Sequence, residues 1–524
     1  MKRLVLLIAV ILAFTCFFSC TRGVQADTDK ESENIDRETD ESTDTSVTDT
    51  GSDQDADSDR DTDSVKDEND YTAGLKFTLI NDKTEYAVTG SDKAAIKVVI
   101  PSEYEGKPVT KISSWAFSQN KVLESITIPD SIKIIDTTSF SNCEALKSLE
   151  IPSSVEVIGL SAFASCIALE SVKIGSGLRD LQYSAFENCS ALKEFTVDSE
   201  NTAYKSVDGC LISKDGRIFV KHPEGKVQES YTVPSSVEII GVSSFSRTKI
   251  DTVIIGNTVK EINGGAFAYS AIKKIEIPES VEIIKGSTFE LCMDLKEVII
   301  PKGVNEIGSY AFHGCYALEE IVIPEGVTKI GSGAFEFCRS LRKIVIPTTV
   351  TDIEKYTFRL APIEYAEAPC VALKAFTKTS LKQVKVNGGD MILSNEFKES
   401  PVLETVELCN TVKTVGSSSF EMCCELKSIN LESVTVIGSS AFNSCYALNN
   451  VNLSSELTQI GEWAFCACKS LERVVISKTV EKIERVAFSG CINLVIYCEG
   501  DEMQELLWDK SWNGSDRPVI WMNE

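Results

Sequence analysis

The chain has 524 residues, with 78 Asp and Glu against 52 Lys and Arg, a formal charge of −26, and only two histidines. Such an excess of carboxylates repels a phosphate backbone, which excludes nucleic acid as the expected partner. His222 and His313 stand outside any triad or metal-ligand spacing, and no P-loop, dinucleotide fingerprint or nucleophile elbow occurs, so neither an enzyme nor a bound cofactor or metal is expected.

Lys2 and Arg3 precede an apolar run from Leu4 to Phe18, about 15 residues, which is export-signal length and too short to span a bilayer stably. The run ends in "FFSC". A small residue directly before Cys20 resembles a bacterial lipobox, in which the cysteine sulfur receives diacylglycerol and becomes the new N-terminus. Residues 1–20 are therefore expected to be a lipoprotein signal peptide, with Cys20 lipidated and the lipid as the sole membrane contact. Phe17 stands where leucine is usual, and cleavage after Ala26 is the alternative, giving a secreted form.

Residues 21–70 turn acidic and Ser- and Thr-rich, with no aromatic residue. At roughly −14 of charge, this segment cannot offset its ordering entropy and is expected to be a disordered, extended linker. Within it, "DQDADSDRDTD" begins like a calcium loop. Ser58 stands where that loop needs glycine and Ser64 where it needs a bidentate glutamate, so a solvated spacer is expected.

Beyond Tyr71 one phrase recurs, as in "IGSYAFHGC" from Ile307 and "IGSGAFEFC" from Ile330. Its phenylalanine stands at Phe117, Phe140, Phe163 and Phe186, then Phe245, Phe267, Phe289, Phe312, Phe335 and Phe358, then Phe397, Phe420, Phe442, Phe465 and Phe488. A sustained step of about 22 or 23 residues is the period of leucine-rich repeats and predicts a right-handed, strand-rich solenoid. In the coil from Leu318 to Phe335, "LEEIVIP" predicts a short strand with Ile321 and Ile323 facing in and Pro324 ending it. Val327 and Ile330 return along the far side, Gly331 allows a tight turn, and Ala334, Phe335 and Cys338 close the coil. His313 falls on a variable position and is expected to be exposed.

Each cysteine of the phrase behaves as a small buried hydrophobe, and Cys143, Cys166, Cys189, Cys292, Cys315, Cys338, Cys423, Cys445, Cys468 and Cys491 should form a ladder. Rungs about 4.8 Å apart do not forbid disulfides. Thr248, Ser270 and Ala361 fill the same slot, so no covalent partner is needed and free thiols are expected.

Two stretches leave the rhythm. Residues 199–232 carry Asp208-Gly209 and Lys214-Asp215-Gly216 between short apolar runs, which predicts a β-hairpin excursion. Residues 359–400 lose the Pro-x-x-Val segment, and a kink or change in curvature is expected there.

The unit "IPEGVTKIGSGAFEFCRSLRKIVIP" resembles the BspA-like, or Treponema-type, leucine-rich repeat of bacterial surface proteins. The resemblance implies a β-rich N-terminal cap over 71–108, a solenoid over 109–498 and a closing cap over 499–524, where "WDKSWNGSDRPVIW" is similar to the Trp-rich end of such proteins. Caps cover core and strand edges that terminal coils would expose. The resemblance also implies a membrane-anchored, non-catalytic binder at the bacterial cell surface, adhering to a protein such as extracellular matrix or to a glycan. The alternative is a structural envelope lipoprotein without a dedicated ligand. The sequence leaves the oligomeric state open.

A ligand face is expected on the outward strand position, which is Val322 in "LEEIVIP". Its equivalents are Thr127, Glu150, Lys173 and Thr196, then Ile254, Glu276, Ile299 and Val345, then Lys385, Glu407, Asn430 and Asn452. Strand propensity accounts for branched apolar residues on any strand. The other reading is an apolar stripe of Ile254, Ile299, Val322 and Val345, rimmed by Lys296, Glu320, Arg342 and Lys343, at the centre of a partner site.

Overall fold

A coil of about 23 residues has no interior of its own, so its apolar side chains are buried only when another coil lies on it. The computed structural model describes residues 71–376, 379–500 and 502–522, all within one unit, Asp63–Glu524. The leader, Cys20 and the acidic linker with its calcium-like run lie outside the described residues.

Each coil has three sides. Strands such as Ser148–Ile151, Ser171–Ile174 and Glu194–Val197 pair in parallel on the first. Two-residue strands such as Ile134–Ile135, Val157–Ile158 and Asp180–Leu181 pair in parallel on the second. The third side is the turn that carries the phenylalanine. Its residues two before and two after the ring are left-handed: Tyr310 and Gly314 at φ 59° and 69°, Trp463 and Ala467 at 62° and 58°. This geometry turns alternate amides toward the next coil. The N–H groups of Tyr310, Phe312 and Gly314 donate to the carbonyls of Ser332, Ala334 and Glu336 at 3.0, 2.8 and 2.8 Å. Holding a residue with a Cβ there costs about 1–2 kcal/mol, offset by inter-coil hydrogen bonds of about 1 kcal/mol each.

Gly331 serves a different purpose from the tight turn expected of it. Its φ is not left-handed; a Cβ there would lie 2.5 Å from the Ser309 nitrogen of the preceding coil. Close approach selects the glycine, and the left-handed positions of that coil are Gly333 and Phe337.

Inside, the phenylalanine rings stack face to face, with centroids 5.4 Å apart and planes 4° apart for Phe312 and Phe335. The stack includes two members that the repeat spacing hides. Phe219 lies 4.5 Å from Phe245, and Phe376 lies 5.0 Å from Phe358. Phe219 is in register with Ile240 on the two-residue row, while His222 takes a phenylalanine's turn position, its N–H donating to Ser244 O at 2.7 Å. Burial holds the His222 imidazole down at about 4, so it is a neutral core residue.

The described cysteines are free thiols. Each ladder Sγ donates to the carbonyl of the preceding coil's phenylalanine, as Cys143 does to Phe117 O at 3.2 Å, Cys338 to Phe312 O at 3.2 Å and Cys491 to Phe465 O at 3.0 Å. A weak donor small enough for the interior therefore ends each phrase. Burial pushes the thiols of Cys143, Cys338 and Cys423 up to about 12.

At the N-terminus, Lys76–Ile80 and Glu85–Gly90 form an antiparallel hairpin that joins the two-residue row through Lys107–Ile112. At the other end, Val519–Met522 pairs with Val495–Glu499, and buried Trp512 lies edge-on to Phe488 at 6.2 Å. In the insert, Tyr204–Val207 and Cys210–Ser213 pair antiparallel across left-handed Asp208 and Gly209. There the interior divides into two hydrophobic clusters. In the irregular region a 3-10 helix, Cys370–Phe376, replaces the lost segment, and the strand row runs on without a break through Tyr365–Pro369 and Gln383–Gly388.

The strand expected in "LEEIVIP" is absent. Glu297–Ile299 and Lys343–Val345 each end a sheet, and the segment between them pairs with neither. By repeat position Glu320 falls opposite Glu297, a like-charge pairing that weakens a ladder. His313 also departs from expectation: its side chain is only 20% exposed, wedged between Tyr310 and Phe337 with centroids 5.7 and 5.6 Å away.

Phe312→Ala should cost about 3–5 kcal/mol and lower the cooperativity of unfolding in urea. His313→Ala should cost about 1 kcal/mol through the lost ring contacts, well short of the phenylalanine. With a thiol reagent at pH 8, Cys143, Cys338 and Cys423 should stay unmodified in the folded chain and react once denaturant is added.

Candidate binding surface

The first side of the solenoid is a face on which inward and outward residues alternate, because strand side chains have a period of two. The register places Lys173 between Glu150 and Thr196, Glu276 beside Ile299, and Asn430 beside Asn452. It also supplies row members that sequence spacing passed over: Glu367 between Val345 and Lys385, and Val475 beside Tyr497 near the end. Glu367 was hidden because its coil carries Ala366 and Ala368 where branched residues usually mark a strand.

On either side of the middle, part of the row satisfies itself. Lys173 binds Glu150 at 2.6 Å and Lys385 binds Glu367 at 3.1 Å. Those carboxylates hold both ammonium groups above the ordinary lysine range. Asn430 clamps the Leu408 backbone, accepting from its N–H at 2.6 Å and donating to its carbonyl at 3.0 Å. Exposed pairs of this kind contribute little to stability, but they leave few polar groups seeking a partner.

The middle is different. Ile254, Ile299, Val322 and Val345 are 52%, 42%, 78% and 42% exposed, far above the buried Val253, Val298, Ile321 and Ile344 that precede them. Ile254, Glu276 and Ile299 share the wall of a hollow of about 690 Å³, which also takes in Lys274 and Lys302. Val345 begins the next sheet, and Val322 stands on the unpaired segment between the two. The structure thus gathers Ile254 and Ile299 into one depression and leaves Val322 and Val345 beyond it. Of the rim, Arg342 binds Glu364 at 3.0 Å and Lys343 lies over the Tyr365 ring at 5.1 Å. Lys296 and Glu320 are exposed and form no ion pair among the described residues.

No group of three or more His, Cys, Asp or Glu side chains that could hold a metal ion occurs among the described residues. What the middle of the face offers is apolar area bordered by charge, suited to binding by contact.

The family profile described as "BspA type Leucine rich repeat region (6 copies)" matches residues 96–207, 225–320, 260–373 and 371–495. No curated protein matches the chain. Among solved structures, the chain is similar to a leucine-rich repeat protein from Bacteroides ovatus, at 22% identity and a TM-score of 0.41, covering 86% of this chain and 98% of that one. It is similar to a leucine rich cell surface protein from Faecalibacterium prausnitzii, at 23% identity and a TM-score of 0.26, covering 83% and 96%. The leucine-rich repeat protein of T. pallidum is 17% identical, with a TM-score of 0.16 and coverage of 72% and 88%.

Proposed function

The chain belongs to the BspA-type leucine-rich repeat family, and from that premise we propose that it is a non-catalytic binding module, tethered to the bacterial cell surface through Cys20, whose strand face takes a protein ligand. The observation that carries this reading is the cluster of exposed Ile254, Ile299, Val322 and Val345 in the middle of the face, set between ion-paired Lys173 on one side and ion-paired Lys385 and clamping Asn430 on the other. Clustered apolar exposure with a charged border is the pattern of a partner site. A host matrix protein is the ligand class that this reading puts first. The acidic segment 21–70 would hold the face clear of the membrane.

Replacing Ile299, Val322 and Val345 together by Thr keeps strand propensity while removing apolar surface. In a pull-down from host extracellular matrix, the variant should lose captured protein tenfold or more while melting like the parent; undiminished capture by a folded variant would move the site elsewhere. Cys20→Ser should shift the protein from the detergent phase to the aqueous phase on partitioning, and unchanged partitioning would rule out the lipid tether.

A further inference from the structure

The insert creates a concavity that the regular coils lack. The two-residue row stops at Asp180–Leu181, and a new sheet begins with the insert and passes through Ile218–Lys221 to Ile239–Ile240. Between them lies a cleft of about 570 Å³, walled by Arg179, Asp180, Tyr183, Ser184, Tyr204 and Val242 among others. That volume is within the range of small-ligand sites.

The floor of this cleft is braced by an internal ion pair. Lys221, with its side chain 9% exposed, gives its ammonium to Glu224 at 3.0 Å, Ser243 O at 3.1 Å and Ser246 Oγ at 3.1 Å. Those three bonds use all of its protons. Glu187 in turn accepts from Ser246 and Arg247. The floor therefore offers shape and no free charge.

The open capacity is at the mouth. The side chains of Arg179, Asp180 and Ser184 make no hydrogen bond or ion pair among the described residues: one cation, one anion and one hydroxyl. A ligand carrying charge of a single sign gains from one of the first two and is repelled by the other. A neutral vicinal diol satisfies both, accepting from the guanidinium and donating to the carboxylate. Beside them stand apolar surfaces. Tyr183 and Val242 are 46% and 45% exposed, and Tyr204 has its hydroxyl occupied by the Leu181 N–H at 3.0 Å and so presents its ring. Apolar faces interleaved with paired donors and acceptors match a ring that carries C–H on its faces and hydroxyls on its rim.

We propose that this cleft is a binding site for a neutral sugar ring of a glycan, separate from the strand face and independent of the protein-binding reading of that face. The test uses the full chain on an array of printed neutral, sialylated and sulfated oligosaccharides, followed by titration with the strongest neutral glycan. Saturable binding of neutral glycans is expected. Tyr183→Ala and Asp180→Asn, both at exposed positions, should each weaken it tenfold or more, and the Ile299, Val322 and Val345 triple variant should leave it unchanged. The proposal fails if the folded chain captures no neutral glycan, if only acidic glycans bind, or if the Tyr183 and Asp180 variants bind as the parent does. Loss through the triple variant alone would assign glycan binding to the strand face instead.

Discussion

Everything in this solenoid depends on a backbone device: left-handed residues on either side of each phenylalanine of the repeated phrase, which aim alternate amides at the following coil. The turn is thereby a third hydrogen-bonded side, where an ordinary loop would leave its polar groups to water. With the turn's polar groups satisfied in this way, the interior can be mainly apolar. The phenylalanine stack and the thiol-to-carbonyl bonds occupy the space that this frame encloses. Outward residues are free of the frame, which is why Trp463, Tyr310 and Gly333 all serve at equivalent left-handed positions.

The parts of this arrangement that repeat were legible in the sequence, because each rung needs the same residue in the same place. Phe312, Cys315 and Ile330 are buried where their spacing put them. What escaped notice depends on neighbours that are remote in sequence. Phe219 keeps the stack going from a strand position inside the insert, and Phe376 does so from a 3-10 helix, so neither falls at the repeat interval. His313 occupies a variable position, yet Tyr310 on its own coil and Phe337 on the next enclose it. Gly331 was correctly singled out for the wrong physical reason, since sequence alone does not separate a left-handed φ from a close approach.

The candidate site was legible to a lesser degree. Period-two alternation identifies which residue on each strand faces out, and Ile254, Ile299, Val322 and Val345 all do. It does not report whether adjacent strands remain paired, and the row is interrupted at Val322. Nor does alternation reveal concavity. The hollow at Ile254 and Ile299 and the cleft beside the insert are walled by residues from several coils, so they are properties of the stacked assembly.

The division of the interior at the insert bears on mechanics. Residues before it and residues after it form separate hydrophobic clusters, joined by the hairpin where Leu211 and adjoining Cys210 point into opposite clusters. Under the proposed tether at Cys20 and the proposed ligand site in the middle of the strand face, tension would run through the early coils and across this junction, while the coils beyond Val345 would carry none. The junction would then be the compliant element of the load path, and the C-terminal third would keep its shape as an unloaded buttress behind the bound partner.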